Sequence, residues 1–109
     1  MRTVYRSKEF DLFYNGASDK LKEKIDYVLT IMISMKVVHS KFLKKLDKTD
    51  FYEMRVSLQN EYRILLFPLD KDSFIESKRI LLLNGFQKKS TKDYKKQITI
   101  ANGIIKKML

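Results

Sequence analysis

From Asp19 onward the apolar positions fall at Leu21, Ile25, Val28, Leu29, Met32 and then Met35 or Lys36, while Lys20, Lys22, Glu23, Lys24 and Asp26 lie mainly off that row. Such steps of three and four return to one side of a helix after each turn. The row predicts an amphipathic helix laid on something flat, a sheet, with Ser18 or Asp19 accepting the first free backbone N–H groups. After Asp50 the period drops to two: Tyr52, Met54, Val56 and Leu58 alternate with Phe51, Glu53, Arg55 and Ser57, the signature of a strand. Leu58 to Glu61 is polar enough for a turn. Tyr62 to Phe67 reads as a second strand stopped by Pro68, and Asp70 to Ser73 as a turn. Phe74 to Leu83 reads as a third strand whose run Ile80-Leu81-Leu82-Leu83 is apolar on both faces, as an interior strand requires, with Asn84-Gly85 ending it. Connections this short allow no crossover, so the three strands form an antiparallel meander.

The flanks complete the outline. Thr3 to Arg6 is a short first strand, and Lys8 to Tyr14 a short helix closed by Asn15-Gly16. His39 to Asp47 is a basic connector with the pattern of another short helical turn. Thr91 to Leu109 carries Ile98, Ala101, Ile104, Ile105 and Met108 at helical spacing among lysines. The predicted class is α+β: a small antiparallel or mixed sheet, made of an N-terminal strand plus a three-strand meander, packed by N-terminal helices, with a C-terminal helix. One long helix covers one sheet face and the other face stays partly open. Residues 1–109 are read as a single domain.

Composition changes this picture mainly through charge. Twenty-three basic residues against 13 acidic give a net charge of +10, which repels itself in the compact state and suits a polyanionic partner. Nucleic acid leads, with an acidic protein or a merely solvated lysine surface as the alternatives. Seven Phe and six Tyr supply a large apolar area for one core. Without cysteine there is neither disulfide nor thiolate metal site, and the lone His39 cannot build a multi-histidine zinc site, so no metal and no cofactor are expected. No apolar run approaches the ~20 residues that span a bilayer, and Met1 to Arg6 lacks a signal core. A cytoplasmic protein with no membrane role is the expectation.

Charges within strands are more telling than charges on helices. Arg55 and Arg63 both interrupt apolar runs. A turn with an odd number of residues sets them face to face across the hairpin, and a two-residue turn sets them on opposite faces. Facing arginines without mates suit an anion held between them, since guanidinium forks match phosphate oxygens. The competing reading pairs them with Glu53 or Glu61 at the sheet surface. The segment Gly85-Phe86-Gln87-Lys88-Lys89-Ser90-Thr91-Lys92-Asp93-Tyr94 follows directly. If its strand neighbours the hairpin, Lys88, Lys89 and Lys92 arrive near the arginines, and Tyr94 brings a phenol able to stack on a base or move a proton. Lys44 and Lys45 of the basic connector join the candidate RNA-binding set. His39 lies away from these residues in sequence and is not placed among them.

Three stretches, Tyr52-Glu53-Met54-Arg55, Glu61-Tyr62-Arg63-Ile64-Leu65 and Leu82-Leu83-Asn84-Gly85-Phe86-Gln87-Lys88-Lys89-Ser90, resemble in order and spacing the RelE/ParE toxin superfamily, within it the phage-derived HigB-type branch. There the motifs run roughly Tyr-Glu-Leu-Arg, Tyr-Arg-Ile-Leu and Leu-x-Gly-Phe-x-Lys-Lys-Thr. The resemblance spans nearly the whole chain. It implies a toxin of a type II toxin–antitoxin pair, an mRNA endonuclease that works without a metal, usually at the ribosome, and stops translation. Its implied partners are mRNA, the ribosome and a cognate antitoxin, often a helix-turn-helix protein. Arg63 matches the arginine that contacts the scissile phosphate, Arg55 a basic residue of the preceding strand, and Lys88 and Lys89 the basic pair after the last strand. Tyr94 falls near a C-terminal aromatic used in catalysis by some relatives. Two departures stand out: classical RelE members place lysine where this chain has Glu53, and HigB-type members often carry proline near Asp93 or Tyr94. A ParE-like gyrase inhibitor and a non-catalytic nucleic-acid-binding module are the competing functions.

Overall fold

The computed structural model describes residues 1–109. Its elements are β1 (Thr3–Arg6), α1 (Lys8–Asn15), α2 (Asp19–Ser34), β2 (Leu43–Lys45), β3 (Tyr52–Leu58), β4 (Asn60–Pro68), β5 (Arg79–Lys88) and α3 (Lys92–Met108). The five strands form one sheet in the order β1-β5-β4-β3-β2. The meander β3-β4-β5 and the β2–β3 pair are antiparallel, whereas β1 joins the far side of β5 in parallel.

The α2 stripe behaves as its spacing dictates. Ser18 accepts a hydrogen bond from Leu21 N at 3.2 Å, and Leu21, Ile25, Val28 and Met32 are buried. With Phe10 of α1 they pack on Met54, Val56, Ile64, Leu66, Ile80 and Leu82, which strand alternation brings to one sheet face. Covering a face this way removes about 1.5–3 kcal/mol worth of apolar surface from water per large side chain.

Four expectations change. The connector makes its helical turn only at His39–Phe42, where Phe42 N donates to His39 O, and then extends into β2. Pairing with β3 satisfies its backbone and buries Leu43 opposite Met54. The last strand starts at Arg79, not Phe74, because residues 73–77 close a turn around Asp70. The Asp70 carboxylate takes hydrogen bonds from Ser77 Oγ and from the backbone N–H of Lys78 and Arg79, and these hold its pKa down to about 2. Nor does Asn84-Gly85 end the strand. Between β1 and β4, β5 keeps a partner through Lys88, and Gly85 is needed there because an added Cβ would stand 2.4 Å from the Phe13 ring of α1. Finally, the C-terminal helix, which the sequence did not place, lies on the face expected to stay partly open: α3 crosses it, burying Ala101 and Ile104 against Phe51, Leu65, Leu81, Leu83 and Phe86. Met108, on the last turn of that helix, stays about half exposed at 48%.

One buried charge ties the layers together. The Arg2 guanidinium donates to the carbonyls of Met32, Met35 and Lys36 at the C-terminus of α2, and to those of Phe74 and Ser77 before β5. Helix C-termini leave carbonyls without intrahelical partners, and a cation satisfies them well. Burial lowers the Arg2 pKa.

Candidate functional site

The β3–β4 hairpin turns through Gln59, whose φ of 61° lies in the left-handed region, with Leu58 against Asn60. This odd-membered turn sets Arg55 directly opposite Arg63. Alternation then puts Glu53, Arg55, Glu61 and Arg63 on the α3 face of the sheet, each acid two residues before its arginine on the same strand. Lys88 stands opposite Glu61 on β5 and joins the same face.

Glu53 is the hub. It is 2% exposed, and its Oε1 accepts from Arg55 at 3.0 Å (Nε) and 2.9 Å (Nη2). Its Oε2 accepts the Tyr94 hydroxyl at 2.6 Å and lies 3.8 Å from Arg63 Nε. Arg63, 5% exposed, is held on two of its three nitrogens: Nε donates to Tyr94 Oη at 3.2 Å, and Nη1 to Glu61 Oε1 at 3.2 Å and to the Tyr62 carbonyl at 3.0 Å. Ser57 Oγ donates to the same Glu61 oxygen at 2.9 Å, and this bond, followed by that from Arg63, lowers the Glu61 pKa. Asn84 Oδ1 is the only buried side-chain polar atom left without a partner, so the unpaired Nη2 of Arg63 reaches solvent. The result is a rigidly seated guanidinium with one edge free, beside a second arginine with Nη1 free. Such a fork is built to receive an anion.

The arginines face each other as an odd-membered turn requires, but they are not without mates: Glu53 and Glu61 pair with them, as the competing reading has it. Two carboxylates offset the two guanidiniums, so an anion must compete for them.

Tyr94 comes from the first turn of α3. Asp93 folds the approach by accepting from Lys89 N at 2.9 Å and Ser90 N at 3.0 Å, which lower its pKa. Phe86 packs edge-on against the phenol ring at 5.6 Å. Burial first, then the hydrogen bond to Glu53, push the Tyr94 pKa up to about 12. The phenol is thus protonated at neutral pH, not a phenolate.

Lys88 Nζ lies 5.8 Å from the centre of the Tyr94 ring. Lys89 and Lys92 are exposed on the loop and at the start of α3. Lys44 pairs opposite Glu53 and shares its face, on the edge strand. Lys45 has the other parity: it lies over the Tyr52 ring at 5.9 Å and donates to the Leu46 and Thr49 carbonyls, on the α2 side of the sheet. His39 sits in the loop before β2, where its Nδ1 accepts from Lys41 N, and makes no hydrogen bond to the cluster. A surface cleft between Arg2, Met35 and Ile75 contains none of these residues. No three His, Cys, Asp or Glu side chains gather to hold a metal ion, and no helix is long and apolar enough to cross a membrane.

Sequence reasoning did not find the seat of Tyr94 on Phe86 or the loop cap by Asp93. For Asp93 a signal exists, since an acid three and four residues after Ser90 and Lys89 has the spacing of a side-chain-to-backbone turn.

The family model described as phage-derived protein Gp49-like (DUF891) matches residues 13–106. No curated protein matches the chain. Among solved structures, the chain is similar to a chain of the intact E. coli RelBE toxin–antitoxin complex, with a TM-score of 0.63 and 11% identity over 83% of this chain and all of the other. It is also similar to a doubly substituted mutant of the E. coli toxin RelE in the free state, with a TM-score of 0.66 and 12% identity over 99% of this chain and 98% of that one. The fold is that of these structures.

Proposed function

Because this chain belongs to the family of phage-derived Gp49-like proteins, shares the RelE fold and carries two facing arginines wired to a tyrosine, we propose that it is the toxin of a toxin–antitoxin pair and cuts mRNA. The observation that carries this reading is the Arg55–Glu53–Tyr94–Arg63 network with its free guanidinium edge. RNA holds its own nucleophile, the 2′-hydroxyl, next to the phosphate it can attack. A protein need only orient that attack, balance the added negative charge and move two protons.

The scissile phosphate binds Arg63 Nη2 and Arg55, displacing part of their pairing with Glu61 and Glu53. The 2′-oxygen then bonds to phosphorus as its proton passes to Tyr94 Oη, which hands its own proton across the 2.6 Å bond to Glu53 Oε2. The bond from phosphorus to the 5′-oxygen breaks, and the Lys88 ammonium protonates the leaving oxygen. The products are a 2′,3′-cyclic phosphate and a 5′-hydroxyl. Lys89, Lys92 and Lys44 hold flanking phosphates. A cognate antitoxin of helix-turn-helix type silences the toxin, and the ribosome presents the message.

The test is induced expression of wild type and Arg63→Ala, with growth and mRNA 5′ ends followed together. Growth arrest with new 5′-hydroxyl ends, absent in the variant, is the expected result. With purified proteins and message on ribosomes, Arg63→Ala lowers cleavage by about 100-fold or more, the usual cost of one charge-stabilising donor. Arrest without new ends assigns the toxin to another target, such as gyrase.

A further inference from the structure

The charge of this molecule is unevenly placed. Residues 86–109 carry seven lysines against one acid, Asp93, whereas residues 8–34, covering α1 and α2, carry four lysines against five acids. On α3 the lysines line the side away from the sheet. Lys92, Lys95, Lys96 and Lys106 are all exposed, and none lies within salt-bridge distance of a carboxylate. Only Lys107 is paired, with Glu9 at 3.6 Å. The carboxylate of Asp93 is occupied by the backbone of Lys89 and Ser90.

This placement is costly for the isolated protein in two ways. Lysines four apart on one helix face repel, as Lys92 and Lys96 do. Lys92, Lys95 and Lys96 also crowd the N-terminal turns, where the helix dipole disfavours cations. The middle of the stripe is smooth: Thr99 and Gly103 lie between Lys96 and Lys106, and the Gly103 position faces open space. The stripe begins where Lys88 and Tyr94 meet and runs on for ~21 Å at the rise of a helix.

We propose that the outer face of α3 is a phosphate rail for the substrate strand, guiding single-stranded RNA into or out of the arginine pair through Lys95, Lys96 and Lys106. The occupant is a single strand because the rail is confined to one face of one helix and leads into a site that takes one phosphate. Recognition is by backbone charge, so it is indifferent to sequence. The inference rests on the RNA-cutting reading but is separable from it.

The probe is fluorescein-labelled 2′-O-methyl RNA, which lacks the attacking hydroxyl, as a trinucleotide and as a strand long enough to follow α3. Binding to the intact protein is measured by anisotropy across a salt series. With the long strand, Lys95→Gln/Lys96→Gln/Lys106→Gln lowers the slope of log affinity against log salt by about 2, at about 0.7 per lost single-strand phosphate contact. With the trinucleotide the triple variant and wild type share one slope. If the long-strand slope is unchanged while wild type cuts unmodified RNA and Arg63→Ala does not, the rail is wrong and the site stands. A lowered slope with no cutting by wild type, either of free RNA or of message on ribosomes, keeps the rail and removes the endonuclease. If a blunt RNA duplex binds more tightly than the single strand and loses as much in the triple variant, the rail serves structured RNA and the single-strand assignment falls.

Discussion

At the residue scale, Glu53 decides what the other three groups can do. Its buried carboxylate orients Arg55, fixes the direction of the Tyr94 hydroxyl and lies near Arg63. Replacing it with glutamine keeps the shape and removes the charge and the final proton acceptor. We expect Glu53→Gln to lower RNA cleavage by about 100-fold or more while binding of uncleavable RNA persists; a variant that cuts at the wild-type rate rules out the relay. A second readout needs no RNA. Tyr94 ionises at about 12 through burial and then Glu53, while Arg63 works in the opposite direction. A raised folded-state pKa means that folding favours the protonated phenol, so its contribution to stability is complete below pH ~10, the value of a free tyrosine. It is lost as pH rises toward 12. In Glu53→Gln the phenol ionises at lower pH, because the charge contribution is gone while burial remains. Difference absorbance of the variant against Glu53→Gln/Tyr94→Phe reports the phenol alone. The arginines, Glu53 and Tyr94 were legible as side chains in the sequence. What periodicity leaves open is the turn parity that brings Arg55 to Arg63, and that was settled by a turn of one residue, Gln59, with its positive φ.

At the scale of elements, the sequence foretold what depends on local pattern and missed what depends on neighbours. The α2 stripe and the alternation of β3 were visible because each element buries one face. β2 was hidden because three residues carry no period, and its extended form comes from β3. The end of β5 was misplaced for a similar reason: Asn-Gly is a turn signal in isolation, but two flanking strands override it. A β-bulge explains the rest. Leu65 stands against both Leu83 and Asn84, which lets both point toward α3, where Asn84 Nδ2 donates to Gln97 Oε1 at 2.7 Å. It also returns Gly85 to the α1 face beneath Phe13. Gly85→Ala therefore overpacks that contact and is expected to cost about 1–3 kcal/mol in urea unfolding. In a Phe13→Ala background the same change costs much less; equal costs in both backgrounds would mean that the ring is not the obstacle.

At the scale of the whole molecule, the net charge of +10 is spread over 109 residues and gathered toward the C-terminal segment. Charge of one sign resists compaction, and salt shortens its reach from about 30 Å at 0.01 M to about 8 Å at 0.15 M. The Tm is expected to rise over that range of sodium chloride, in contrast to the loss of RNA affinity that the same salt produces. A Tm that falls instead would mean that net attraction among the surface charges outweighs the excess of lysine.

The parallel β1–β5 pair has a further consequence, in the order of events during synthesis. Thr3 lies against Arg79, and Arg2 reaches Ser77, so the earliest strand waits for the latest one before its edge of the sheet exists. Contacts this distant in sequence form slowly, because a long loop must close before they give any return. Tyr94 arrives later still, with α3. A growing chain can thus hold its two arginines and Glu53 on the β3–β4 hairpin before the tyrosine that completes the network has emerged, and the arrival of α3 sets the moment at which the site is whole.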